Sequence, residues 1–190
     1  MNSIEQYIQT YFGLQGERLQ ETAALFHPEA ITKGEFLLRA GANCQRLSFV
    51  NSGYFRMFAL DEHGNKEVTQ WISWEGYFVT DLASFLFDQP ARWNIQALSD
   101  GHIHTISKQD YRNLANYSQD WPRLERLFLA KCFVTIENRV FQLLSMTAEE
   151  RYLFFFNQHP KLFNQVPLQY IASLLGMTPE TLSRIRKKMA

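Results

Sequence analysis

Seven residues close to the end of the chain have the types and spacing to meet a polyanion. Thr178, Glu180, Thr181, Ser183, Arg184, Lys187 and Lys188 all fall within "MTPETLSRIRKK", residues 177–188. Arg184 can donate two hydrogen bonds to guanine N7 and O6, Glu180 can accept from cytosine N4, and Ser183 can serve several acceptors. Lys187 and Lys188 suit phosphates, which give affinity without sequence. The charge is local. Over the whole chain 19 basic residues face 19 acidic ones, whereas residues 161–190 hold five basic residues and one acidic.

Those side chains need a scaffold, and the flanking residues describe one. "LQYIASLLG" reads as a short helix closed by Gly176, and Thr178 caps the next helix with Pro179 at its first position. Ile171, Leu175, Met177, Leu182 and Ile185 would face each other, with the small Ala172 where the helices cross. This is a helix-turn-helix pattern, and its second helix is the expected reader of double-stranded DNA.

Before it, "TAEE" at 147–150 matches a capping box and opens another helix, which stops at His159-Pro160. Asp120 can cap a helix running to about Ser145, with Trp121 and Pro122 in its first turn. Leu124, Leu127, Phe128, Val134 and Phe141 make a stripe that Phe133, Ile136 and Val140 widen. A helix apolar on more than one side predicts a second copy of itself as partner, hence a homodimer.

Residues 28–107 have a different texture. Gly34, Gly41, Gly53, Gly64 and Gly76 punctuate "EFLLR", "RLSFV", "YFRMFAL" and "KEVTQWI", and "NIQAL" follows. Short strands with frequent turn signals predict a β-roll or jelly roll, with "DEHGNK" as a hairpin tip. "TDLASFLFDQP" supplies one helical turn through Leu82, Phe85 and Leu86, ended by Pro90. The expected class is α+β: an antiparallel β-roll over 1–119, a dimerisation helix over 120–146 and a helix-turn-helix domain over 147–190.

The chain resembles the CRP/FNR superfamily of bacterial transcription regulators. The resemblance covers the glycine-punctuated "KGEFLLRAG" and "LSFVNSGYFRMFALDEHGNKE", the long helix and the C-terminal helix pair. It implies a homodimer on a two-fold symmetric operator. The E-x-x-S-R of FNR-like members corresponds to Glu180, Ser183 and Arg184, which implies TTGA-like half-sites. CRP-like members have a basic residue before that Glu, where this chain has Pro179.

The family's cyclic-nucleotide cassette has a Gly and a Glu ahead of a Leu, then an Arg that neutralises the phosphate. Here Thr80 and Asp81 replace the first two before Leu82. Ala91 stands at the Arg position and Arg92 one residue later, which on an extended backbone faces the other way. The candidate effector pocket is therefore Thr80, Asp81, Leu82, Ser84, Arg92 and Trp93, with cyclic AMP not its expected ligand and an unknown small-molecule effector possible in its place. Asp81 with Arg92 can also be read as an ordinary ion pair. The competing reading of the whole chain is a small-molecule-binding β-roll with a degenerate tail that does not bind DNA.

Other chemistries find little to use. The chain has two cysteines, Cys44 and Cys132, too few for the four-cysteine cluster of some relatives and too far apart to suggest a disulfide framework. His102 and His104 share a strand face without a third ligand, so no metal and no cofactor are expected. No nucleophile–base pair or paired carboxylates point to an enzyme. The N-terminus "MNSIEQYIQTYF" has no signal-peptide pattern and no apolar run is long enough for a bilayer, so the cytoplasm is the expected compartment.

Overall fold

The computed structural model describes residues 3–117 and 120–189. The chain opens with α1 (Ser3–Phe12) and α2 (Gly16–Ala24). Ile4, Tyr7 and Ile8, spaced i, i+3, i+4, bury one face of α1. Then come β1 (His27–Ile31), β2 (Phe36–Leu38), β3 (Arg46–Ser52), β4 (Phe55–Leu60), β5 (Glu67–Ser73) and β6 (Phe78–Val79). After these follow α3 (Leu82–Phe87), β7 (Asn94–Ala97), β8 (Gly101–Ser107) and α4 (Lys108–Tyr117). Two four-stranded sheets result, ordered β1-β8-β3-β6 and β2-β7-β4-β5. The pairings are antiparallel, for instance Ser48 opposite Thr105 and Phe55 opposite Ala97. This is the expected roll.

The β4–β5 connection is the hairpin tip the sequence predicts. The Asp61 carboxylate accepts from the N–H groups of Asn65 and Lys66 at 2.9 and 3.3 Å. Gly64 takes φ 70°. In α3 the outcome differs from expectation. Pro90 does not end the helix. It stops at Phe87, because Asp88 already turns into the left-handed region at φ 59°.

The helical half comprises α5 (Trp121–Ser145), α6 (Ala148–Gln158), α7 (Leu162–Gln165), α8 (Leu168–Leu174) and α9 (Pro179–Met189). The α5 bounds are those expected. The Asp120 carbonyl accepts from the N–H groups of Arg123 and Leu124, while its carboxylate pairs with Arg18 at 3.0 Å. Both halves of the Thr147–Glu150 capping box are present.

By contacts the chain divides into two compact units, Met1–Ala59 with Ile72–Phe128, and Leu60–Trp71 with Leu129–Ala190. In the first unit the core is aromatic. Phe78 sits edge-on to Tyr7, Phe49 and Phe128, at 5.1, 5.2 and 5.3 Å between ring centroids. Among the described residues no helix is long and apolar enough to cross a membrane.

Candidate nucleic-acid interface and effector cassette

In the second unit, α8 and α9 meet at a turn built almost entirely from backbone. Met177 N–H donates to Ala172 O at 3.0 Å and Gly176 N–H to Ser173 O at 3.1 Å. These two bonds make a Schellman motif with Gly176 at φ 66°. Ile171, Ala172, Leu174, Leu175, Leu182 and Ile185 are buried behind it. Thr178 then caps α9, accepting from Thr181 N–H at 3.2 Å.

Three carbonyls at the end of α8 lack helical donors. Two arginines supply them. Arg139 of α5 donates to Leu174 O at 2.6 Å. Arg151 of α6 donates to Leu175 O at 2.8 Å, Gly176 O at 3.4 Å and Met146 O at 2.7 Å. Burial pulls the Arg139 guanidinium down to about 10, so it stays charged at neutral pH. Neither arginine was singled out from the sequence. Each lies 24 residues or more from the turn carbonyls it holds, and no local pattern marks them.

On α9, Glu180, Ser183, Arg184 and Lys187 are exposed. Their i, i+3, i+4, i+7 spacing puts them on one face, opposite Leu182 and Ile185. Glu180 sits in the first turn. Its own backbone N–H, then the Thr178 hydroxyl, then the charge of Arg184 hold its carboxyl below its ordinary value. Arg184 also reaches the Thr181 hydroxyl at 3.4 Å. Lys188 stands apart from that face. Its ammonium bridges both carboxylate oxygens of Glu149 on α6, at 3.0 and 2.9 Å.

The effector cassette lies in the first unit, and its polar groups are already engaged. The Asp81 carboxylate caps α3 through Ser84 N–H at 3.1 Å. Its second oxygen accepts from the backbone N–H groups of Arg92 and Trp93 at 2.9 and 3.2 Å. The anticipated Asp81–Arg92 ion pair is therefore not formed. The acid binds the backbone of residue 92, and the exposed guanidinium lies over the Trp93 ring at 5.0 Å. Thr80 donates to Arg46 O at 2.9 Å, and the Ser84 hydroxyl accepts from Cys44 N–H at 2.9 Å. Leu82 is half-buried.

The histidine pair is also placed. His102 meets the Ser52 hydroxyl and half-buried His104 meets the Asn51 amide. Among the described residues no three His, Cys, Asp or Glu side chains gather as metal ligands.

The family model for the cyclic nucleotide-binding domain matches residues 28–118, the span of the roll. The chain is similar to FixK2 from Bradyrhizobium japonicum with a TM-score of 0.72 at 17% identity, covering 86% of this chain and 84% of that one. Residues 28–118 are thus similar to a cyclic nucleotide-binding domain, and the chain has the CRP/FNR fold. The same CRP/FNR fold is seen in CLP, the c-di-GMP responsive global regulator of Xanthomonas campestris. There the TM-score is 0.69 at 18% identity, over 90% of each chain. The Thermus thermophilus catabolite activator protein gives 0.60 at 22% identity, over 94% of this chain and 85% of that one. No curated protein matches the chain by sequence.

Proposed function

We propose that this chain is a homodimeric, sequence-specific DNA-binding transcription regulator that does not respond to cyclic AMP. The exposed face of α9 carries the reading: a base-reading set, Glu180, Ser183 and Arg184, stands beside Lys187 on a helix anchored by Leu182 and Ile185. The regulators that share the fold agree with it.

A partner copy is supported by the apolar surface of α5. Phe133, Phe141 and Leu144 are 70%, 67% and 82% exposed, and Val134 and Val140 about half exposed. Side chains of this kind on a soluble helix mark an interface. Two α9 helices related by a dyad enter successive major grooves about 34 Å apart. The half-sites would be TTGA-like.

The effector reading rests on the cassette. A cyclic nucleotide needs a carboxylate for its ribose hydroxyl and a guanidinium for its phosphate. Asp81 is committed to three backbone N–H groups, and Arg92 is exposed over Trp93. A different small molecule seated in the cassette itself would meet Arg92 and Trp93.

Selection of bound sequences from random DNA tests the reading, followed by two substitutions. Arg184→Ala costs about 1–3 kcal/mol on the selected site and relaxes one guanine position. Lys187→Ala weakens all sequences alike and makes the salt slope shallower by about one per half-site contact. Equal, sequence-independent losses from both would reduce α9 to an electrostatic patch and refute the assignment.

A further inference from the structure

A cavity in the first unit, beside α3, is lined by none of the cassette residues. It has a volume of about 190 Å³. That is below the ~300 Å³ at which drug-sized pockets begin, so it takes one ring and not a nucleotide. Its apolar wall is an aromatic run: Phe85 of α3 meets Tyr111 of α4 edge-on at 5.0 Å, and Tyr111 meets Trp121 of α5 at 5.2 Å. Its charged lining is Lys108 and Arg112 of α4, with Glu125 of α5.

The two cations share one carboxylate. Lys108, only 4% exposed, donates to Asp88 at 2.8 Å and to Ser84 O at 3.1 Å. Arg112 donates to the other oxygen of Asp88 at 2.6 Å. An ammonium has three protons, and the third of Lys108 has no acceptor among the described residues. Asp88 itself is 63% exposed in its side chain and sits at φ 59°, the one positive-φ residue other than glycine among those described. Swinging it into solvent leaves two cations against Glu125, whose carboxylate is held on the α5 wall by the Tyr111 hydroxyl at 2.8 Å. The site then favours an anion at its α3 end and a flat apolar group against the aromatic wall.

We propose that this cavity binds a small aromatic monocarboxylate, whose carboxylate takes the place of Asp88 on Lys108 and Arg112. Asp88 is the chain's own stand-in for that carboxylate. Its displacement would release the C-terminal end of α3, whose N-terminal end is Asp81, the residue that ties down the backbone of Arg92 and Trp93. A ligand here would therefore act on the cassette from behind.

Benzoate is the probe, with benzyl alcohol and benzylamine as its neutral and cationic counterparts. Each is titrated into the full chain while the Trp121 indole N–H resonance, assigned with Trp121→Phe, is followed by NMR. Benzoate should shift it saturably with a Kd of about 1 mM or tighter. The two counterparts should bind at least about tenfold more weakly, lacking a charge-assisted pair. Asp88→Asn removes the competing charge and keeps a side chain suited to left-handed backbone, so it should tighten benzoate severalfold. Lys108→Met should abolish binding, and Arg92→Ala should leave it unchanged. Absence of a saturable shift, equal binding of benzylamine, unchanged or weaker binding by Asp88→Asn, or loss of binding in Arg92→Ala would each overturn the proposal.

Discussion

Gly176→Ala strikes the turn that joins α8 to α9. Gly176 has φ 66°, and its N–H and that of Met177 form the two bonds that close α8. An alanine held in left-handed backbone costs about 1–2 kcal/mol. The new methyl would also lie 3.1 Å from Leu143 Cδ2. That atom is the end of a side chain 39% exposed, so it can give way and adds little. Gly64 is the control: its φ is 70° and a Cβ there meets nothing within 4 Å. Both alanine variants should lose about 1–2 kcal/mol by urea denaturation, with Gly176→Ala the larger. Gly176→Asn should lose less, because asparagine tolerates this conformation. Native-state hydrogen exchange localises the effect, since Met177 N–H should exchange faster in Gly176→Ala and not in Gly64→Ala. If Gly176→Ala is as stable as the parent and Met177 N–H stays protected, the turn is not left-handed and the Schellman assignment fails.

Other expectations are more compact. Val134→Asp should leave the fold intact, because Val134 is half exposed, and should shift light scattering from dimer to monomer; a dimer that persists would place the interface elsewhere. Arg151→Met removes a charged donor from the carbonyls of Leu175 and Met146 and should cost about 1–3 kcal/mol by chemical denaturation. No measurable loss there would mean that water replaces the guanidinium. His104 and His159 should titrate below the ordinary histidine value of 6.5, both through burial, with Glu5 partly opposing at His104. The unfolded chain then binds more protons than the folded one in this range. Stability should therefore rise with pH through this window and fall as pH drops below about 6.5. An NMR midpoint at or above 6.5 for either ring would contradict the burial.

The features legible in the residues are those decided within a few positions of the chain. Thr147 with Glu150, Thr178 ahead of Pro179, and Gly176 between two apolar helices each name a cap or turn whose hydrogen bonds close over three to five residues. The α5 bounds followed from composition and the apolar run in the same way. One local signal went unread: Ile4, Tyr7 and Ile8 have helical spacing and mark α1. The rest could be settled only by packing. Asp81 had several partners of the right chemistry in reach, and the path of the loop after α3 brought it the backbone of residues 92 and 93 rather than a guanidinium. Lys188 reads as one more basic residue of α9 until the approach of α6 brings Glu149 to it. Arg139 and Arg151 are ordinary helix residues in sequence, and only tertiary contact aims them at the free carbonyls of α8. A residue's type and spacing determine what it can bond to, but which of the competing partners it meets is set by the close packing of segments distant along the chain.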